Sequence, residues 1–350
     1  MLTIDRPSSL KEWAERSSAS FASFQLLPPG MQIGQRYEVV ELLGRGGMGA
    51  VYRVRDRHLD RDVALKLIRP EIADDTATLE RFKREIQLSS VVTHKNVLRI
   101  YDLGESDGIK FLTMHLVAGD DLAAIAKREG KLPIPRILRI FRQICEGLRA
   151  AHEQGVIHRD LKPENVMVSA NDAVYLTDFG LAKSLEQSGM TQTGAILGTP
   201  YYMSPEQVKG GEADVRSDIY ALGVMLYEMC AGQLPFTGRT PYEVMAARLQ
   251  KTARPVSELN AEVPSYLRKI IDRCLAVDPK IRYQTIDEIL ADLDAETFRP
   301  TLRYAALGRR WVRPTVIAAV AAVVLAVAGW LLYRSGRGSA PAPHVPGKTE

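Results

Sequence analysis

The stretch HRDLKPEN at residues 158–165, followed by DFG at residues 178–180, decides the fold of this chain. The apolar segments 165–168 and 174–177 lie between the two motifs and predict short strands. A single polar residue in a loop usually only caps or turns the chain, but an ordered series of such residues is far more specific than one short pattern. We therefore interpret the two motifs as parts of one site.

The side chains of these motifs suit the transfer of a phosphoryl group. That reaction requires a carboxylate to orient the attacking hydroxyl and accept its proton, a cation near the transferred phosphate, and oxygen ligands for Mg²⁺. Asp160, Lys162, Asn165 and Asp178 supply this set. The sequence therefore predicts an enzyme that uses a nucleoside triphosphate and a divalent cation.

A glycine-rich stretch, GRGGMG at residues 44–49, precedes a predicted strand. Glycines let the backbone fold closely over phosphates and point amide groups at their oxygens. The same spacing occurs in dinucleotide-binding folds, but those folds require a helix after the glycines. Lys66 ends the next strand, and Glu85 lies on the following predicted helix. A solvated surface lysine is the alternative, but a carboxylate at this place would hold the ammonium towards the phosphates.

Short apolar runs punctuated by glycine predict antiparallel strands over residues 37–43, 50–56 and 62–68. Residues 76–90 have helical periodicity, and two further strands are predicted at 97–103 and 110–115. After residue 120 the chain is mostly helical, with predicted helices at 135–154, 218–230, 241–250, 264–275 and 286–295. The pattern predicts an α+β fold of two lobes, in which a small antiparallel sheet with one helix precedes a larger helical lobe.

The order of these motifs resembles the eukaryotic-like (Hanks-type) serine/threonine protein kinases found in bacteria, from about residue 37 to residue 298. The resemblance implies a kinase domain at 35–298, with an N-lobe at about 35–117 and a C-lobe at about 118–298. It also implies ATP as the phosphoryl donor, Mg²⁺ or alternatively Mn²⁺ as the ion, and protein serine and threonine hydroxyls as acceptors.

By the same resemblance, Asp160 is the catalytic base, Lys162 contacts the γ-phosphate, and Asn165 and Asp178 bind the metal. The residues expected to bind ATP are Gly44, Gly46, Gly49, Val51, Ala64, Lys66, Glu85, Met114, His115, Val117 and Asp121. His115 stands where an acidic residue is common in the family, but backbone groups bind adenine there, so little consequence is expected.

Residues 198–206, GTPYYMSPE, resemble the serine/threonine-specific pattern, with Thr199 expected beside the catalytic base. The serine of the SPE triplet replaces a commoner alanine, which we interpret as a change between small residues. The resemblance further implies scaffold roles, with Glu206 paired to Arg282 and Asp218 bracing the backbone of the catalytic loop.

Control by phosphorylation is implied by Arg159, which directly precedes the catalytic base. A phosphate on the loop 181–198 would neutralise this cation. Thr191 and Thr193 are the expected phosphorylation sites, because their spacing resembles the phosphorylated pair of the bacterial kinases.

Composition excludes several other classes of protein. The formal net charge of +4 is small and dispersed, so no nucleic-acid partner is expected. The three cysteines, Cys145, Cys230 and Cys274, are far apart in apolar helical patterns, which predicts reduced, buried thiols and no metal site.

A membrane anchor is predicted near the C-terminus, because residues 315–333 contain no charge and are long enough to span about 30 Å as a helix. We divide the chain into a polar extension at 1–34, the kinase domain, a basic linker at 299–314, the transmembrane helix at 315–333 and a short tail at 334–350. The basic residues before the span favour a cytoplasmic kinase domain, an extracytoplasmic tail and contact with the lipid bilayer.

Two other functions are weighed against an active protein kinase. A catalytically dead scaffold would lack the lysine, the base or a metal ligand, and none is lost. A small-molecule kinase of the same fold would lack the segment 199–206 that docks a peptide. The resemblance leaves open a kinase homodimer, because some relatives dimerise back to back.

Overall fold

The computed structural model describes residues 27–46, 49–68, 76–179 and 200–297. Predictions for residues 1–26, for Thr191, Thr193 and Thr199, and for 299–350 lie outside the described residues. The strands are β1 (Gln32–Ile33), β2 (Tyr37–Gly46), β3 (Gly49–Asp56), β4 (Arg61–Ile68), β5 (Ile100–Ser106), β6 (Ile109–Met114), β7 (Gly119–Asp121), β8 (Val166–Ser169) and β9 (Val174–Leu176). The helices are α1 (Thr76–Val91), α2 (Leu122–Glu129), α3 (Ile134–Glu153), α4 (Pro205–Val208), α5 (Val215–Ala231), α6 (Pro241–Gln250), α7 (Ser265–Cys274) and α8 (Ile286–Asp294).

The N-lobe is built on an antiparallel sheet of six strands in the order β1-β2-β3-β4-β6-β5. Strands β5 and β6 meet at Asp107 and Gly108, which both have positive φ and so suit a tight hairpin. One face of the sheet packs on α1, where Ile86 joins a cluster with Ala64 and Met114. The predicted small sheet with one helix is therefore present in the structure.

The sheet begins earlier than the sequence predicted. β1 pairs with β2, and Leu27, Met31 and Ile33 are buried in the core of the lobe. The Leu27 amide also donates a hydrogen bond to the Tyr52 hydroxyl at 3.2 Å. Prolines and glycines hide this short strand from a search for periodicity, so residues assigned to the polar extension belong in part to the lobe.

The segment before β5 ties the N-lobe to the C-lobe. A strand was predicted from residue 97, but Val97 forms an isolated parallel bridge with Leu176, and β5 starts only at Ile100. The Leu98 amide donates to the Leu176 carbonyl at 2.8 Å, and the Leu176 amide donates to the Asn96 carbonyl at 2.9 Å. The Leu98 amide and the Asn96 carbonyl therefore bond to β9 instead of to the N-lobe sheet.

Helices α3 and α5 form the centre of the C-lobe. The apolar stripe of α3 is fully buried, and nearly every residue of α5 is buried. The cysteines are buried free thiols on α3, α5 and α7. Burial raises the pKa of Cys145, and it raises the pKa values of Cys230 and Cys274 to about 12, so all three are protonated at neutral pH.

No helix in the described ranges is both long and apolar enough to cross a membrane.

A buried ion pair joins α4 to the loop before α8. The Glu206 carboxylate accepts from Arg282 Nη1 at 2.7 Å and from Nη2 at 2.8 Å, and from the Ser217 hydroxyl at 2.8 Å. Burial alone would raise the pKa of Glu206, but the opposite effects of Arg282 and of the other hydrogen-bond donors are together larger. The net pKa is lowered to about 2. The carboxylate therefore stays ionised and holds α4 against α5.

Because the pKa of Glu206 falls from 4.5 to about 2 on folding, the carboxylate stabilises the fold above pH 4.5, and this stabilisation is lost as the pH falls towards 2. Glu206→Gln should lower the free energy of unfolding at pH 7 by on the order of 3 kcal/mol. Urea unfolding at pH 7 and pH 4 should show a smaller difference from wild type at the lower pH. Glu258, which forms an exposed ion pair with Arg254, serves as the control. Glu258→Gln should change little at either pH, and equal losses for both variants would contradict the assignment.

Candidate active site

The catalytic loop, defined here as residues 157–165, is held by hydrogen bonds to one buried carboxylate on α5. Asp218 accepts hydrogen bonds from the amides of His158 and Arg159, both at 2.8 Å, and lies 2.8 Å from His152 Nε2. Arg159 has a φ of +66°, which side chains other than glycine seldom adopt. The Asp218 bonds hold the loop in this strained form just before Asp160, the bracing role that the sequence predicted for this residue.

Three side chains of the loop converge on one point. Lys162 Nζ lies 2.6 Å from Asp160 Oδ2. Asn165 Nδ2 donates to the Asp160 carbonyl at 2.7 Å and lies 3.3 Å from Asp160 Oδ2. With its amide nitrogen so used, Asn165 keeps its oxygen for another partner. The loop therefore presents an oriented carboxylate, a cation and an amide oxygen together.

Lys66 reaches across from β4 to the second motif. Its Nζ lies 2.7 Å from Asp178 Oδ1, and its side chain is only 10% exposed. Burial would raise the pKa of Asp178, but the charge of Lys66 outweighs it, and the net pKa lies below the usual range. Sequence reasoning missed this contact. The carboxylate that the sequence predicted as the partner of Lys66 is Glu85, which lies on α1. The Glu85 side chain is outside the described part, so that pair stays a prediction.

These residues line one cavity of about 940 Å³. It contains most of the predicted site residues, namely Gly44, Gly49, Val51, Ala64, Lys66, Met114, His115, Val117, Asp121, Asp160, Lys162, Asn165 and Asp178. Arg159 and Asp218 also reach its wall, as do Tyr202 and Met203 from the segment before α4. The structure thus brings the predicted nucleotide residues and the predicted peptide segment to one opening.

Two features fit a nucleotide with a divalent cation. Gly49 has a φ of +145°, and a Cβ at this position would lie 1.9 Å from the Leu67 carbonyl oxygen, so only glycine lets the strand turn back here. The remaining oxygens of Asn165 and Asp178 are the hard ligands that Mg²⁺ prefers. Asp121 has a further role that the sequence did not predict, because its Oδ1 accepts from the Ala124 amide at 2.7 Å and caps α2.

Sequence reasoning also missed two residues that hold the segment 200–207. Arg248 on α6 is 1% exposed, and its guanidinium donates to the Pro200 carbonyl at 2.7 Å and to the Tyr201 carbonyl at 2.6 Å. Gln207 on α4 donates from Nε2 to the Arg159 carbonyl at 2.9 Å. Arg248 belongs to no motif, and nothing in the local pattern indicates the Arg159 carbonyl as a partner of Gln207.

Ser204 is more than a small residue in place of alanine. Its hydroxyl and amide both lie near Gln207 Oε1, at 3.0 and 2.9 Å, and its Oγ accepts from the Gln207 amide at 3.4 Å. This reciprocal arrangement is a capping box, whose signature is a serine three residues before a glutamine. The signal was present in the sequence.

Comparisons with known proteins agree with this geometry. A model of the protein kinase domain matches residues 37–293. The serine/threonine-protein kinase PknB of Mycobacterium tuberculosis is 39% identical over 267 residues, which cover 75% of this chain and 43% of that protein. The serine/threonine-protein kinase PrkC of Bacillus subtilis is 38% identical over 264 residues, which cover 75% of this chain and 41% of that protein. The chain thus spans about two fifths of the length of these curated relatives.

Among solved structures, the PknI kinase domain of Mycobacterium tuberculosis matches with a TM-score of 0.62 and 28% sequence identity. The match covers 78% of this chain and 100% of that one. Because the family model covers most of the chain and the curated relatives exceed a third in identity over three quarters of it, this chain belongs to the protein kinase family.

Proposed function

We propose that the chain is a serine/threonine protein kinase that transfers the γ-phosphoryl group of ATP to serine and threonine hydroxyls of proteins. The observation that carries the proposal is the cluster at the cavity, where Asp160 lies 2.6 Å from Lys162 and Lys66 lies 2.7 Å from Asp178. The names of the relatives, which are serine/threonine-protein kinases, support the same activity.

Each residue of the cluster has a separate task. Asp160 would accept the hydroxyl proton while orienting the attacking oxygen, and Lys162 beside it would stabilise charge on the transferred group. Lys66 would hold the other phosphates from the N-lobe. Asn165 and Asp178 would hold Mg²⁺, which when bound neutralises charge that develops on the phosphate oxygens.

Removing the base or the lysine should abolish transfer without unfolding the protein. We expect wild-type chain incubated with Mg²⁺ and γ-labelled ATP to label itself or a generic basic protein on serine or threonine. Asp160→Asn should reduce the rate at least about a thousandfold, and Lys66→Met at least about a hundredfold. Asp172→Asn is the matched control, because Asp172 pairs with Arg136 and Arg139 away from the cavity.

The outcome also separates two other functions. A scaffold without catalysis would bind ATP yet show no label in wild type, although all four expected catalytic and metal residues are present here. A small-molecule kinase would label no protein. The segment 200–207 that borders the cavity disfavours this second alternative.

We infer that activity is controlled by phosphorylation of the loop 181–198. Arg159 is half-buried at the cavity wall directly before the base, so a phosphate near it would act on the position of Asp160. Thr191 and Thr193 are the proposed sites, and Thr199 is proposed to lie beside the base.

Phosphosite mapping of chain that has been incubated with ATP should find Thr191 and Thr193 modified in wild type but not in Asp160→Asn. Thr191→Ala with Thr193→Ala together should lower kcat on a peptide by about tenfold or more, because the loop loses its new charge pairs. The alanine pair at Ser184 and Ser188 is the control. Unmodified Thr191 and Thr193 in fully active protein would refute this mode of control.

We also propose that residues 315–333 anchor the chain in a cell membrane as a single helix, with the kinase domain in the cytoplasm and the tail outside. Support comes from the uncharged span and the arginines before it. Confinement to one surface would raise the encounter rate of two copies, which favours a kinase homodimer as a partner.

The anchor predicts that the full chain sediments with membranes and resists extraction by carbonate, whereas a chain ending at Arg310 stays in the supernatant. Protease added outside spheroplasts should remove only the tail. An equal distribution of both chains in the supernatant would contradict the anchor. A higher yield of cross-linked dimer for the full chain in membranes than for the chain ending at Arg310 is expected if the kinase forms a homodimer.

A further inference from the structure

Both ends of the Gln207 side-chain amide are engaged by different parts of the C-lobe. Oε1 accepts from the amide and the hydroxyl of Ser204, at 2.9 and 3.0 Å. Nε2 donates to the Arg159 carbonyl at 2.9 Å. A backbone N–H can only donate and a carbonyl can only accept, so these partners fix which end of the amide points where. Gln207 therefore forms a direct bridge between the segment 200–207 and the catalytic loop.

The bridge ends on the peptide unit that carries the catalytic base. The Arg159 carbonyl and the Asp160 amide belong to one planar peptide group. In this group the carbonyl is held by Gln207, and the amide donates to the His158 carbonyl at 2.9 Å. The preceding peptide group is held by Asp218 through the Arg159 amide. Gln207 thus holds the peptide group that follows the strained Arg159, while Asp218 holds the one that precedes it.

The other end of the bridge belongs to a segment that is itself fixed. Arg248 holds the carbonyls of Pro200 and Tyr201, which lie in a short 3₁₀ helix. The Tyr202 hydroxyl donates to Glu228 at 2.7 Å. Tyr202 and Met203 of this segment line the cavity. A movement of the segment would therefore move Gln207 and, through its hydrogen bond, the peptide group before Asp160.

We propose that Gln207 is a positioning residue that couples the segment 200–207 to the catalytic base, an inference that rests on the proposed kinase activity. The donor end of the amide performs the coupling. The acceptor end only completes the cap of α4.

Replacement by glutamate separates these two roles. Glutamate is the other ordinary third residue of a capping box, so Gln207→Glu keeps an acceptor for the Ser204 amide and hydroxyl. An ionised carboxylate has no hydrogen to donate, so it would present oxygen to the Arg159 carbonyl. A residue that merely caps α4 would tolerate this change, whereas the coupling would be lost.

The test compares the 350-residue chain as wild type, as Gln207→Glu, as Gln207→Leu and as a matched control variant. Gln143 on α3 is a similar glutamine clasp, because its Oε1 accepts from the Val174 amide at 3.1 Å and its Nε2 donates to the Asp172 carbonyl at 2.8 Å. Gln143→Glu therefore disturbs an equivalent clasp that involves neither the segment 200–207 nor the catalytic loop.

We expect both Gln207 variants to lower kcat/KM for a peptide substrate by about tenfold, with the KM for ATP changed less than about twofold. The melting temperature of Gln207→Glu should stay closer to wild type than that of Gln207→Leu. Adding Ser204→Ala to Gln207→Leu should have less effect than Ser204→Ala alone, because the two residues act through one bridge. Gln143→Glu should leave kcat/KM for the peptide unchanged.

Hydrogen exchange of residues 157–165 gives a readout that does not need catalysis. Exchange in this loop should be at least about fivefold faster in Gln207→Glu than in wild type, and unchanged in Gln143→Glu. Unaltered loop exchange in Gln207→Glu, or wild-type kcat/KM in this variant, would overturn the coupling. A wild-type chain that transfers no phosphate would refute the proposed function, while the exchange comparison would still decide the role of Gln207.

Discussion

The rest of the site depends on the buried carboxylate of Asp218. It is 1% exposed and lies in the first turn of a helix that is almost entirely buried, so it cannot move without disturbing the core of the C-lobe. A carboxylate in such a place is tolerated only when donors satisfy it, and the amides of His158 and Arg159 together with His152 do so. The same bonds hold Arg159 at a positive φ. The core of the lobe thereby sets the position of the catalytic loop.

Helix α5 positions α4 as well as the catalytic loop. Asp218 lies next to Ser217, whose hydroxyl donates to Glu206, and Glu206 is fixed by the buried Arg282. The loop and α4 are therefore held by adjacent residues of one helix. Gln207 joins them directly, through its hydrogen bond from α4 to the Arg159 carbonyl. Removing the Asp218 carboxylate would leave the amides of His158 and Arg159 without this acceptor, which costs more than the hydrogen bonds themselves contribute.

The sequence predicted the two-lobed fold and most residues of the cavity because the motifs follow strands and loops whose order fixes their meeting point. Apart from the Glu206–Arg282 pair and the bracing by Asp218, which the family resemblance implied, it did not predict contacts that depend on how far a side chain reaches. For Lys66 the sequence suggested Glu85, a pair that stays a prediction, and it did not suggest the contact with Asp178. Arg248 has no pattern of its own, because its partners are backbone carbonyls and any sequence supplies those. Such residues become evident only when the chain is folded.

Four of the charges that line the cavity form two pairs, and this arrangement suits the ligand that the family implies. Lys66 lies against Asp178 and Lys162 lies against Asp160, so each cation is balanced by a carboxylate within the protein. Balanced pairs lessen the cost of keeping four charges in a cleft. A polyanion bound together with a divalent cation also carries both signs of charge. Its oxygens can contact the lysines, and the metal can contact the carboxylates. Both partners can therefore enter without leaving any of these four charges uncompensated, whereas a polyanion alone would compete with both carboxylates for the lysines.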